Sequence, residues 1–315
     1  MLEGLNGKTA RFSRKGTFRI FIPMISSMKP MLVLVILLTA ACRNITTGIS
    51  YPSPAPDTAA LRFLPGIVCS DSLDFNSAFS PDGQTYYFCR SGKGKWSIWQ
   101  TEYKDGQWTA PGHAPFSEEA YSQADPFFGP DGALYFISNR PRNAGDTAGD
   151  FNIWYVRPEK DGWSSPQNVA GINSDSTEYY VSLSANGNIY FASNRNGDLD
   201  IYYSRLENGS YTVPENLGPA INTPGIEHDP CISPDEKLLV FTAADRPDGH
   251  GSADLYISRK TADGKWGKAV NAGLKVNTPT YEYCSYLTPD GKYLFFSSEL
   301  DVKWISTEQL GIQKK

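Results

Sequence analysis

The sequence predicts an all-β fold: a β-propeller of four-stranded antiparallel blades, five in number, with an N-terminal strand closing the last. Three observations lead there. A Pro-Asp-Gly-like turn recurs at Pro81-Asp82-Gly83, Pro130-Asp131-Gly132, Ala185-Asn186-Gly187, Pro234-Asp235-Glu236 and Pro289-Asp290-Gly291, in steps of 49, 55, 49 and 55 residues. Each turn sits between two short apolar runs, as Cys231-Ile232 and Leu238-Leu239-Val240-Phe241 flank the fourth. A third apolar run and a second turn then follow. Four short strands in each unit of about fifty residues match a propeller blade.

The elements follow in chain order. Proline presets φ for a turn, and Asp or Asn followed by Gly accepts the backbone that closes a hairpin, so each unit begins with a β-hairpin. The third strand carries an aliphatic–aromatic pair: Ile98-Trp99, Ile153-Trp154, Ile201-Tyr202, Leu255-Tyr256 and, more loosely, Trp304-Ile305. A turn at Asp105-Gly106, Asp161-Gly162, Asn208-Gly209 or Asp263-Gly264 ends it, and a fourth strand is expected from Trp108, Trp163, Tyr211 and Trp266. The fifth unit stops after Trp304-Ile305, while an unassigned apolar stretch, Leu61 to Val68, precedes the first hairpin. That stretch is expected to complete the fifth blade and remove an exposed sheet edge. Six blades is the alternative, if Arg62–Val68 and the tail conceal a degenerate unit.

Charge divides the chain. Of the 29 basic and 34 acidic groups, the first 41 residues hold six basic and one acidic, a net of +5, which leaves −10 for the rest. All 4 methionines also fall in that first segment. The acidic body has no basic block to neutralise phosphates, which excludes nucleic acid as an expected partner. Met31 to Ala41 is apolar or small but too short to span a bilayer in a helix, and with Lys29 before it suits a secretory signal. Leu38-Thr39-Ala40-Ala41-Cys42 resembles a bacterial lipobox, which implies lipidation of Cys42, with Thr39 where leucine is usual. Met28 would start a compact signal, so residues 1–27 are read as a mis-assigned start. The expected domains are a signal over 1–41, a lipidated Cys42 with a flexible Ser/Thr/Pro tether to residue 60, and a propeller over 61–312.

The Phe-Ser-Pro-Asp-Gly turns, followed by Tyr-Phe and then Asp-Ile-Tyr patterns, resemble the WD40-like (PD40) repeat of TolB-type β-propellers over about residues 61–307. The resemblance implies an envelope-exposed bacterial propeller that acts by binding. It stops at the propeller and so does not carry over TolB's own partners.

Two columns mark one face. Asp74, Gln123, Glu178, Glu227 and Glu282 stand eight residues before the turn Asp or Asn, and Ser91, Arg140, Arg195, Ala244 and Glu299 stand nine after it. Centring the hairpin on the turn puts Glu178 opposite Arg195 and Gln123 opposite Arg140, with Arg90 and Arg246 nearby. Ion pairing within each blade is one reading. A polar ring that holds a ligand is the other, with Gln123, Arg140, Glu178, Arg195, Glu227, Arg246 and Glu282 as its candidates. Two long loops, 140–150 and 246–254, should project from the same face, where binding usually resides.

Catalytic signatures are absent. The sequence has no H-E-x-x-H, G-x-S-x-G, P-loop or dinucleotide fingerprint. His228, His250 and Asp248, beside Glu227, are of metal-ligand type but match no fixed spacing, so no metal or cofactor is expected. Cys69, Cys89, Cys231 and Cys284 are expected as buried thiols, and Trp99, Trp154, Tyr202 and Tyr256 as packing between blades. The expected function is a non-enzymatic envelope module that binds a protein or a glycan. The alternative is a carbohydrate-active or metal-dependent hydrolase or lyase.

Overall fold

The computed structural model describes residues 48–312. The signal, Cys42 and the first part of the tether lie outside the described residues. Five four-stranded antiparallel sheets follow one another around an axis. The innermost strands are Asp74–Phe79, Gln123–Phe128, Glu178–Leu183, Ile226–Ile232 and Tyr283–Leu287. The second strands Leu134–Ser138, Ile189–Ser193 and Leu238–Ala244 are buried at every position. Each blade is covered on both faces by its neighbours, so its central strand reads as an unbroken apolar run and not as an alternation.

The ring closes as the sequence predicts, through a shorter element. Leu61–Arg62 is the strand, with Leu61 opposite Trp304 and Arg62 opposite Lys303. The Phe63 N–H donates to the Val302 carbonyl at 2.9 Å, and the chain then turns away. Phe63 is fully buried, with ring centroids of Tyr86 and Phe295 at 4.8 Å, and joins the end of blade five to blade one.

The fourth strands are displaced from their expected start. They are Gly112–His113, Gln167–Asn168, Glu215–Asn216 and Val270–Asn271, about four residues late. Trp108, Trp163, Tyr211 and Trp266 pair instead with Tyr103, Pro158, Leu206 and Lys260 in small ribbons beyond the sheet. The tight turn returns the chain directly opposite the end of the third strand. The sheet needs a partner at the middle of that strand, where Trp99 faces His113 and Tyr202 faces Asn216. Several more residues are required to get there.

The stretch expected as free tether is docked from residue 48 onward. Tyr51 stacks on Trp304 at 5.9 Å, and its hydroxyl donates to Asp290 Oδ1 at 3.1 Å. Ile49 covers the turn of blade one, where a Cβ on Gly83 would stand 2.8 Å from Ile49 Cγ1. Gly83 also has φ +72°, so both space and backbone demand glycine there. The described part of this segment thus packs on the hairpin-turn face.

Candidate functional site

The acid column points into the blades. Asp74, Gln123, Glu178, Glu227 and Glu282 are completely buried. In four blades the carboxylate caps the lead-in loop: Glu178 accepts from Ser174 N and Oγ, Glu227 from Thr223, Glu282 from Thr278 and Asp74 from Ser70. Arg195 donates to Glu178 at 2.9 Å, Arg246 to Glu227 at 2.9 Å and Arg140 to Gln123 at 2.8 Å. Blade five has no such arginine, and Ser298 donates to Glu282 instead.

The guanidinium in four blades lies between two rings. Arg90 packs on Phe88 and Trp99, Arg140 on Phe136 and Trp154, Arg195 on Phe191 and Tyr202, Arg246 on Phe241 and Tyr256, all within 5.4 Å of the centroid. The aromatic column is therefore a packing surface for arginine. Glu227→Ala would strand a buried Arg246 and two donors of the Thr223 loop. A loss of about 3–5 kcal/mol in urea unfolding is expected; a loss near that of an exposed pair would show that Arg246 finds water.

The expected cross-strand register is off by two. Glu178 faces Ser193 and Gln123 faces Ser138. In these two blades the hairpin turn closes one residue tighter than a symmetric count, and a β-bulge adds a residue to the innermost strand. Arg195 and Arg140 reach back along their side chains to make the pairs.

That bulge builds the site. Asn76, Asp125, Tyr180, Asp229 and Cys284, six residues before each turn, all have φ between 49° and 63°. A left-handed non-glycine residue costs about 1–3 kcal/mol, and such strain gathers at functional positions. Here it recurs in every blade and aims five side chains at the axis. Asn76 Nδ2 donates to Asp125 Oδ1 at 2.9 Å, and the Cys284 N–H donates to Asp229 Oδ2 at 2.8 Å. The Tyr180 hydroxyl crosses to the Ser285 carbonyl at 2.6 Å, and the axis is filled at that level.

One residue earlier in the strands, Phe75, Tyr179, His228 and Tyr283 form a wall with Trp96 and Tyr281, Ala124 being the small member of that column. Together with the floor they enclose about 160 Å³ at the mouth of the axis on the loop face. Phe75 stands edge-on to Trp96 at 5.8 Å, and Tyr281 to Tyr283 at 5.7 Å.

Electrostatics are concentrated at the floor. Asp125 and Asp229 are each 3% exposed. Burial, then repulsion from Asp229, pushes the Asp125 carboxyl up to about 7, against the lowering effect of Asn76, Cys284 and His228. His228 Nδ1 lies 2.9 Å from Asp229, and Nε2 is 2.6 Å from the Tyr281 hydroxyl. Burial opposes the charge on His228, but Asp229, with Asp125 and Glu227 behind it, outweighs burial and raises its pKa. Burial also raises the Cys284 thiol well above its ordinary value.

The remaining predicted residues go elsewhere. Asp248 accepts from the Tyr256 hydroxyl at 2.8 Å, and the His250 N–H donates to Asp254. His228 faces the axis and is bonded through both nitrogens, and Glu227 faces the blade. Among the described residues no three His, Cys, Asp or Glu side chains gather as a metal site. The long loops bridge blades: Arg142 reaches the Ser174 carbonyl and Asp175, and the Ser252 N–H reaches the Thr280 carbonyl. Cys69, Cys89, Cys231 and Cys284 are free and buried.

Sequence reasoning selected the loop face but missed the axial column beside the acids. That column has no residue type common to all five blades. Its only sequence mark is a constant distance from the turn, and neither the bulge nor the left-handed backbone can be seen before folding.

No protein-family model matches the chain, and no curated protein does. Some solved structures resemble it. A TolB-type protein from Agrobacterium tumefaciens is 18% identical over 76% of this chain and 78% of its own, with a TM-score of 0.47. A TolB from Acinetobacter baumannii is 17% identical over 76% of this chain at a TM-score of 0.45, and this chain spans 56% of it. A thermostable family-43 glycoside hydrolase is 13% identical over 81% of this chain and 91% of its own, with a TM-score of 0.49. TolB-type proteins and a glycoside hydrolase thus both stand among the neighbours.

Proposed function

We propose that the protein is a non-enzymatic binding module of the bacterial cell envelope, lipid-anchored through Cys42, whose ligand enters the axial mouth on the loop face. The observation that carries this reading is the aromatic wall of Phe75, Trp96, Tyr179 and Tyr283 over two buried carboxylates. It is a small, preformed concavity on a rigid scaffold, with few polar groups at its base. Tyr51, in the described part of the tether, docks on the opposite face, which supports a mouth free for a ligand. The partner is an envelope protein or a glycan. Cross-linking capture from native envelopes tests this: Trp96→Ala and Tyr179→Ala are expected to abolish the captured species. Capture that survives both substitutions places the binding surface elsewhere.

One observation favours an enzyme as second reading. Asp125 holds its proton near neutrality beside an Asp229 that is bonded to His228, which separates an acid from a base as hydrolysis requires. Product release from aryl glycosides or lactones, lost in Asp229→Asn, would establish it. A protein inert to both classes is not such a hydrolase.

A further inference from the structure

We infer that the axial mouth takes a single organic cation, an alkylammonium group, seated among Phe75, Trp96, Tyr179 and Tyr283 above Asp125 and Asp229. This rests on the mouth being the ligand site and adds the class of ligand.

Shape comes first. The cavity of about 160 Å³ is well below a drug-sized site, so it admits one headgroup and not a folded chain. Its walls are ring faces and edges, with Trp96 and Tyr179 at 6.3 Å and Phe75 and Tyr283 at 6.1 Å. A cation within about 6 Å of such rings is attracted by their quadrupoles, most strongly where water is excluded.

Charge is the second, independent observation. No lysine or arginine lines the cavity, and its one base, His228, is already bonded to Asp229 and Tyr281. His228 sits against Asp229 at 2.9 Å, which leaves Asp125 as the carboxylate with no basic partner in the cavity. A bound monocation balances it. An anion would face both carboxylates, and a neutral ligand leaves Asp125 uncompensated.

Proton linkage follows from the same arrangement. Asp125 is protonated below about pH 7, so a cation must displace a proton there. The Asp125 contribution to affinity should rise up to about tenfold per pH unit toward pH 7 and level off above it. The other groups facing the cavity do not reverse the sign. The Cys284 thiol and the Tyr179, Tyr281 and Tyr283 phenols are pushed up by burial and stay neutral. His228 loses its charge as pH rises, which strengthens cation binding further.

The test is titration of the full chain with choline, with its neutral isostere 3,3-dimethylbutan-1-ol, and with lysine blocked at both termini. Choline or the blocked lysine is expected to bind at least about tenfold more tightly than the alcohol at about pH 8. That preference should weaken about fivefold from pH 7 to pH 6. Asp125→Asn should lower the preference and leave only the shallower pH slope that His228 contributes. Asparagine at the equivalent Asn76 of blade one already adopts φ 63°, so this variant keeps the backbone. Trp96→Ala is the second variant and should weaken cation binding at every pH. Tighter binding of blocked lysine names a protein side chain as the source, and tighter binding of choline a free quaternary amine. Equal binding of choline and its isostere, or cation binding unchanged in Asp125→Asn, overturns the inference. Failure of every cation to bind, while Trp96→Ala still abolishes envelope capture, keeps the mouth as the site and rejects the cation. Capture indifferent to Trp96→Ala rejects the mouth itself.

Discussion

Asp125→Asn is expected to stabilise the protein at about pH 8 and to flatten its stability against pH. The folded carboxyl titrates at about 7 against an ordinary 3.8, because burial and Asp229 both oppose its charge. Folding therefore takes up a proton between these values. The contribution is fully present below about pH 4 and is lost as pH rises through 7. One proton linked in this way changes stability by up to about 1.4 kcal/mol per pH unit. A gain on the order of 2–4 kcal/mol for the variant at about pH 8 follows, shrinking toward zero near pH 4. Asparagine keeps an acceptor for Asn76 Nδ2 and accepts the left-handed backbone, so only the charge is removed. His228, whose pKa is also raised, leaves a residual slope of the same sign. Asp235, Glu236 and Asp290, held below their usual range chiefly by hydrogen bonds that outweigh burial, act only in the acid range and in the opposite direction. Urea unfolding at several pH values measures the difference. Parallel curves for the two proteins would mean that Asp125 ionises in the fold without penalty.

Phe63→Ala should cost about 3–5 kcal/mol, the range for a large buried aromatic truncated to alanine. The closing strand has only two paired residues, Leu61 and Arg62, both exposed. Its hold on blade five thus depends on Phe63, packed among Phe79, Tyr86, Phe295 and Trp304. A cavity there loosens the single seam of the ring, so opening should be local before it is global. Cys69 reports the seam directly. Its buried thiol lies 3.1 Å from the Phe63 carbonyl and 3.3 Å from that of Val302. Its thiol-labelling rate in Phe63→Ala should rise well before unfolding, while Cys231, away from the seam, stays protected. Equal acceleration at both thiols would mean that the ring opens as one unit.

The repeat was legible because its signals are local. Pro-Asp-Gly turns, apolar runs and their constant spacing depend on neighbouring residues, and they define the blade, the count of five and the closure from the N-terminal side. Registers were less legible. Glu178 with Arg195 and Gln123 with Arg140 were matched as partners, yet the strands place these two acid-column residues opposite Ser193 and Ser138, and the pairs form only through the length of arginine. The fourth strands moved because the tight turn after the third strand is compatible with a ribbon as well as with the next sheet strand. Only the packed sheet selects between them.

The site divides along the same line. By itself the sequence determined the scaffold, its loop-bearing face and the acidic balance of the body. Tertiary structure alone decided which side chains reach the axis. A bulge in each innermost strand turns the residue after Phe75, Ala124, Tyr179, His228 and Tyr283 into the left-handed region, sending the acid column into the blades and Asp125 and Asp229 toward one another. Local sequence cannot express that convergence, because Asp125 and Asp229 lie 104 residues apart and meet only when five blades close around one axis.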